Sequence, residues 1–537
     1  MASSVQLDLV WLRIQILGCL NTSKICQSTV ALALLALILV PVIASFLFRD
    51  KGSGVPVVNP LRLFQLETQK RVEFIRDGID LLRVGRRRFP GKPFLLLTNL
   101  GSITILPPGR AKEVKSLPEA LSYRKKFNDL FPFFYPAGFG PLAIIDHPSE
   151  LLQKVVTKHL TKRLNTVTGA LAVESSFAAS KALGEQTDWF EVPVYQTILD
   201  MVARVSSRVF LGSELCRDEN WLDLTKNFTV AMHRGELTLR LFPRLVRPFV
   251  YLLDGSCRKS RQAYYRAYKI VEPLLTQRRK ERQDRAARAE GVAYNDAIEW
   301  AEMEAAGASY DATDLQLILS FAGIHTTSDL LSTTMLQLAA DPENIRTLRR
   351  EMMEVLPAKG WKKTSLTQLK LLDSAIKEAQ RVKPVQMITM LRKATADTEL
   401  EGGIVIRKGD LVSVDSSDFH NPALYKNPEA YNMHRFADMR SQPGGEHRAQ
   451  LVSTVPEHLA FGYGKNACPG RFFAANEIKM ALCHLLMKYD WELAPGTTLE
   501  PVWFGTDPIV NPQAKLLCRR RKEEFDLDAL EADDGIE

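Results

Sequence analysis

From Asp314 to Ala340 the chain is almost continuously apolar over the length of a long helix, and Asp341-Pro342 stops it. A helix that is hydrophobic all round has no solvent face, so it must sit at the centre of a body large enough to wrap it. The wrapping elements are legible too. Thr367 to Arg381 sets Leu369, Leu372, Ile376 and Ala379 at helical spacing, with Pro384 just beyond, and Ile478, Ala481, Leu482, Leu485, Leu486 and Tyr489 form a second apolar stripe. Two segments alternate like small hairpins, FLLLTNLGSITILPP from Phe94 around Asn99 and Gly101, and IVIRKGDLVSV from Ile404 around Lys408-Gly409. No internal repeat and no GxGxxG after a strand occurs, which excludes a doubly wound sheet with its own dinucleotide site. The expected fold class is mainly α with small β-hairpins, as one catalytic body over 61–522. With 537 residues, 46% hydrophobic and 25% charged, the chain can supply such a core.

The N-terminal part sets location. Residues 29–48 form 20 positions without a charge, enough to span a bilayer core of about 30 Å. A cleaved signal peptide would have a shorter apolar region nearer Met1 and a small-x-small cleavage site. The expected layout is a lumenal stretch 1–28, a transmembrane anchor 29–48 and a linker 49–60. Arg49, Lys51, Arg62, Lys70, Arg71 and Arg86 to Arg88 follow the anchor, against only Arg13 and Lys24 before it, so the body should face the cytosol. The last 15 residues, 523–537, hold eight acids and read as a disordered tail.

Net charge is 70 − 62 = +8, without the basic patch and interleaved aromatics of a nucleic-acid binder. Arg278, Arg279, Lys280 and Arg282, and Arg519 to Lys522, read as solvated faces or as a docking surface for an acidic partner. The seven cysteines are odd in number and include no CxxC pair, which speaks against a disulfide framework or a cysteine zinc site.

The sharpest signal is FGYGKNACPGRF from Phe461. A cysteine thiolate can serve as axial ligand to haem iron and push electron density toward O–O cleavage. Gly464 permits a tight turn and Gly470 a close approach of backbone to a flat ring. Cys468 precedes the helix that runs to Tyr489, whose free N–H groups can bond the sulfur. Phe461 can shield one side. This loop resembles that of the cytochrome P-450 family, FxxGxRxCxG, at Phe461, Gly464, Cys468 and Gly470. Asn466 stands where the family usually has a base for a haem propionate, and Lys465 is the nearest substitute.

Other motifs resemble the same family. Glu378-Ala379-Gln380-Arg381 matches its ExxR, an acid and a base on one helix face, and Arg435 matches the arginine that completes a structural triad. Ala322-Gly323-Ile324-His325-Thr326-Thr327, inside the long apolar helix, matches AGxDT, with His325 in place of the usual acid. Gly323 in mid-helix costs about 1 kcal/mol against Ala, and a local widening of the helix would explain it. Thr326 matches the threonine that handles protons during oxygen activation, with His325 as a further relay. Arg392 falls where the family often places a propionate base. For a WxxxR counterpart Lys158, His159 and Lys162 remain open.

The resemblance covers roughly 61 to 520, and phrases such as ARVSSRVFLG look most like filamentous-fungal members that oxidise terpenoids or other secondary metabolites. It implies haem b bound by Cys468, O2 as cosubstrate, and NADPH electrons delivered by a separate membrane-bound reductase, with cytochrome b5 as a second donor. It implies an apolar small-molecule substrate and the endoplasmic reticulum membrane. Phe127 to Gly140, Val385 to Ile388, Trp503, Phe504 and Thr506 are expected either to line the pocket or to belong to the core. A haem-thiolate isomerase or dehydratase, or a haem sensor without catalysis, would share Cys468 but not the need for Thr326 and a reductase.

Overall fold

The computed structural model describes residues 54–62, 65–131, 134–287 and 294–532, without the side chains of 128, 129 and 287. The chain divides into two units, Met1–Gly54 with Arg62–Leu66, and Val55–Leu61 with Glu67–Glu537. Only the second is described below. The expected anchor 29–48 lies outside the described residues. Among those, no helix is long and apolar enough to cross a membrane.

The apolar stretch forms helix α6 (Ala312–Ala339), preceded by α1 (Glu67–Arg88), α2 (Asn165–Leu183), α3 (Val194–Phe210), α4 (Glu219–Arg240) and α5 (Gly255–Ala287), and followed by α7 (Lys370–Val382) and α8 (Arg471–Lys488). Asp311 caps α6 by accepting the Asp314 N–H at 2.8 Å, and Asp341 caps the next helix, where Pro342 lacks only a donor the first turn does not need. α6 packs on α3, α4, α5, α7 and α8. Its Leu315, Leu317, Leu331 and Leu338 are fully buried. Each such side chain contributes about 1.5–3 kcal/mol, so Leu331→Ala should cost about 2–5 kcal/mol once the cavity is included.

The strands are β1 (Phe94–Thr98), β2 (Gly101–Leu106), β3 (Leu121–Ser122), β4 (Phe190–Pro193), β5 (Ile388–Ala394), β6 (Thr398–Leu400), β7 (Ile404–Ile406), β8 (Leu411–Asp415), β9 (Tyr489–Leu493), β10 (Val502–Phe504), β11 (Asp507–Ile509) and β12 (Lys515–Arg520). They form a five-stranded sheet in the order β1-β2-β8-β5-β3, a three-stranded sheet β4-β12-β9, and the pairs β6-β7 and β10-β11. The first expected hairpin is present as β1–β2, with Thr98 opposite Gly101.

Three expectations need correction. Ile404 to Val414 is not a hairpin: β7 pairs with β6, whereas β8 lies parallel to β2 and antiparallel to β5. Alternation reports that a segment is a strand; its partner depends on contacts distant in sequence. The helix expected from Thr367 breaks at Leu369 (φ −71°, ψ 71°) into Lys363–Gln368 and α7. The segment 523–532 is also packed. Leu527 is fully buried, Trp361 donates to its carbonyl at 2.9 Å, and Glu523, Glu524 and Asp528 pair with Arg520, Arg521 and Lys488, each at 2.7 Å. Two of these pairs are three residues apart in sequence, whereas Lys488 and Trp361 are brought to the segment by folding.

Candidate active site

Among the described cysteines only Cys468 is accessible; Cys216, Cys257, Cys483 and Cys518 are buried. Burial raises all of these thiols, Cys216 to about 11 and Cys257 to about 12. Cys468 is also raised by its surroundings, while the N–H groups of Gly470 and Arg471 and the Arg471 charge pull the other way. A sulfur that solvent reaches although the chain crowds it lies in a recess. The Cys468 N–H donates to the Phe461 carbonyl at 2.8 Å, and the turn before it needs Gly464, whose φ is +81° and where a Cβ would stand 2.4 Å from Lys115 Cγ. Phe461 packs half-buried against the main core.

The recess has a second wall in α6. Ala322 and Thr326 are exposed, one helical turn apart, while Ile324, Thr327 and Ser328 between and beside them are buried. On a helix enclosed by five others, an exposed pair at this spacing faces an internal space. Phe210 connects the two walls. It lies 3.3 Å from where a Gly323 Cβ would be, and its ring centroid is 5.8 Å from that of Phe473 in the first turn of α8. The helix stays regular from Ala312 to Ala339, so the expected widening is not there: Gly323 admits Phe210 instead.

Thr326 Oγ1 donates to the Ala322 carbonyl at 2.7 Å. His325, about 100° round the helix, is turned away. Its Nε2 donates to the Lys226 carbonyl at 3.2 Å, so its Nδ1 accepts from the Tyr195 hydroxyl at 2.9 Å, and burial lowers its pKa. Both nitrogens of the neutral ring are committed to tying α6 to α3 and α4. The relay expected of His325 therefore has no free donor to offer Thr326.

Behind the cysteine loop, Glu378 binds Arg381 at 2.8 Å and Arg435 at 2.9 Å, and both Glu378 and Arg381 are wholly buried. Arg381 also donates to the carbonyls of Phe419 and Pro428, each at 2.6 Å, and Arg435 to that of Lys426 at 2.6 Å. The same helix holds the chain further on, through Ser374 to the Met433 carbonyl at 2.6 Å and Lys377 to the Gln450 carbonyl at 2.7 Å. α7 thus anchors the whole approach to Phe461.

Arg392 is 3% exposed, and its guanidinium donates to the neighbouring Leu391 carbonyl with no carboxylate partner among the described residues. Burial pulls its pKa down to about 10. It lies 5.5 Å from the Tyr123 ring, and Tyr123 in turn senses the charge of Cys468. A buried cation beside Tyr123 and without an anion among the described residues suits a group that brings carboxylates. At Gly470 φ is −84° and an added Cβ would meet nothing of the chain within 4 Å, so only a flat group over the sulfur calls for glycine there. These observations fit haem. Lys465 does not take part: its side chain is 71% exposed and lies 3.8 Å from Glu119. Lys158 and His159 are both engaged by Glu304, at 2.9 and 3.0 Å, and Lys162 is at the surface. Tyr123 was missed because an aromatic inside SYRKKF carries no spacing signal.

The expected pocket residues divide. Phe131, Phe139 and Tyr251 form an edge-to-face cluster with centroids 5.7 to 6.1 Å apart, which is core. The β10–β11 hairpin lies against α6, since Val510 N–H donates to Asp329 at 3.0 Å, one turn beyond Thr326. Its Thr506 carbonyl accepts from Met387 N–H at 3.3 Å, which joins it to the Val385–Ile388 segment.

A family profile described as "Cytochrome P450" matches residues 151–518. The chain is 41% identical over 476 residues to the cytochrome P450 monooxygenase hepE of Aspergillus oryzae, covering 88% of this chain and 86% of that one. It is 37% identical over 470 residues to the cytochrome P450 monooxygenase TRI1 of Fusarium sporotrichioides, covering 87% and 86%. The solved structure of retinoic acid-bound cyanobacterial CYP120A1 superposes with a TM-score of 0.63 at 19% identity, over 84% of this chain and 96% of that one, which establishes a shared fold. The recess around the one accessible thiol among the described residues and these likenesses lead to one conclusion: the chain belongs to the cytochrome P450 family of haem-thiolate monooxygenases.

Proposed function

We propose that this enzyme hydroxylates an apolar small molecule, a terpenoid or related secondary metabolite, at the endoplasmic reticulum membrane, with electrons from a separate NADPH–cytochrome reductase. The observation that carries this reading is the accessible Cys468 sulfur in a recess whose other wall is the exposed Ala322–Thr326 pair of α6. Haem, when held there, supplies the activation of O2 and the insertion of one oxygen atom. Cys468 would be its axial ligand, with the N–H groups of Gly470 and Arg471 stabilising the thiolate. Arg392 would hold a propionate. Thr326 would offer its hydroxyl for proton transfer, directly or through one water.

Membrane association is supported by an exposed apolar surface between α4 and α5. Leu245 is 74%, Phe249 67% and Leu253 87% exposed. A contiguous patch of this kind marks a protein or lipid contact, and the uncharged run 29–48 supplies the anchor.

The test is to express the chain with a reductase in a heterologous host, isolate membranes, and profile metabolites with and without NADPH and O2. The reading expects a product one oxygen atom heavier than its precursor and dependent on both. A rearranged or dehydrated product formed without them would replace it with an isomerase or dehydratase.

A further inference from the structure

The family's haem loop carries a base where this chain has Asn466, and Lys465 beside it turns to the surface at Glu119. The structure offers another cation. Lys126 lies on the short 3-10 helix Arg124–Asp129, and its ammonium stands 4.4 Å from the centroid of the Tyr123 ring and 4.6 Å from that of Phe127. Its only described contacts are these two aromatic faces: it forms no hydrogen bond or ion pair among the described residues. The Arg392 guanidinium lies over the same Tyr123 ring at 5.5 Å. Two cations thus lie over one tyrosine that also senses the Cys468 sulfur.

Two like charges enclosed at this distance destabilise each other. Burial and the Arg392 charge pull the Lys126 ammonium down to about 7, and Glu236 on α4 offsets this in part. Glu236 itself is already bound by Arg240 at 2.8 Å. The corner around Tyr123 therefore holds two cations that no described carboxylate binds by an ion pair. Haem b brings two carboxylates on one edge of the ring. A charged pair of that kind gives charge-assisted hydrogen bonds, stronger than neutral ones.

Resting on the family reading above, we propose that Lys126 is the second propionate-holding cation of this enzyme. It would stand in for the base missing at Asn466, so that Tyr123, Lys126 and Arg392 make one carboxylate-binding corner beside Cys468. The second propionate is thus held from the Arg124–Asp129 helix instead of from the cysteine loop itself. That ties the order of this segment, which leads into Phe127 and Leu130 at the core, to haem occupancy.

The experiment uses the full-length holoenzyme with K126Q and K126R. Haem transfer to excess apomyoglobin and the reduction potential of the haem iron are measured, and the carbon monoxide spectrum reports the thiolate. K126Q should release haem about tenfold faster, as the loss of one charged hydrogen bond implies. Its potential should fall, because a nearby positive charge favours the reduced iron. K126R should restore both. Unchanged haem transfer and potential in K126Q, with a thiolate-type spectrum, would overturn the role of Lys126 and leave the family reading standing; Lys126 would then serve the side of the cavity where Glu236 lies. Failure of both variants to retain haem would also overturn it, since a carboxylate contact survives the exchange of Lys for Arg. Absence of a thiolate-type spectrum in the wild-type enzyme would instead overturn the family reading.

Discussion

Glu378 and Arg435 stand 57 positions apart in sequence and meet at 2.9 Å in the interior, where the carboxylate also holds Arg381. A buried ion pair is weak evidence for net stability, but removing one partner leaves the other charged and enclosed, at a cost of about 3–5 kcal/mol. Glu378→Ala should leave two buried guanidiniums without their anion. The expected outcome is loss of soluble haem-containing protein, checked by haem content per chain and by thermal unfolding. A Glu378→Ala variant that unfolds with the wild type and binds haem equally would refute the bracing role.

Cys468→Ser should abolish the thiolate-type carbon monoxide spectrum of the reduced enzyme. Cys483→Ser should keep it, because Cys483 is fully buried within α8. The pair separates loss of the ligand from general damage by a cysteine substitution.

Thr326→Ala should keep haem content and substrate binding but lower product formed per NADPH consumed, with hydrogen peroxide in its place. His325→Ala should act differently. It cuts the link from Tyr195 to the Lys226 carbonyl and takes the acceptor from the half-buried Tyr195 hydroxyl, so it should lower thermal stability by about 1–3 kcal/mol. Coupling should fall much less than in Thr326→Ala. Equal uncoupling in both variants would restore a relay role for the imidazole.

Glu477 on α8 accepts from the Ser206 hydroxyl at 2.6 Å and is otherwise buried, which pushes its carboxyl up to about 8. An unfolded glutamate titrates near 4.3. Between those values the folded chain holds a proton that the unfolded chain has lost, so the stability contributed by this group falls as pH rises from about 4.3 to about 8 and is level above. Glu477→Gln keeps a hydrogen-bonding partner for Ser206 and removes the titration. Its melting temperature relative to wild type should rise between pH 5 and pH 8. A difference independent of pH would show that Glu477 is ionised in the folded enzyme.

Deleting residues 1–50 should release part of the protein from membranes and leave a haem-binding body. Adding Leu245→Glu and Leu253→Glu to that truncation should release the remainder, because both side chains are largely exposed and apolar. Sedimentation with vesicles measures both steps. Full membrane retention of the double substitution in the truncated chain would place the contact elsewhere.

The amino-acid sequence alone determined the long central helix and the helix that carries Glu378 and Arg381, which rest on period and on end signals, both local. The singling out of Cys468 and Arg435 came from the resemblance of short motifs to a known family. The pairing of β8 with β2 and β5 was not legible, since a strand's alternation does not name its partner. Nor was the direction of His325, because adjacent residues on a helix point about 100° apart and only the positions of α3 and α4 decide which one meets Tyr195. The packing of residues 523–532 escaped for a similar reason: Lys488, which pairs with Asp528, and Trp361, which donates to the Leu527 carbonyl, reach this segment only in the assembled fold. Tyr123 and Lys126 were equally silent. Their proposed role rests on two enclosed cations without a bound carboxylate among the described residues, and burial is a property of the assembled fold.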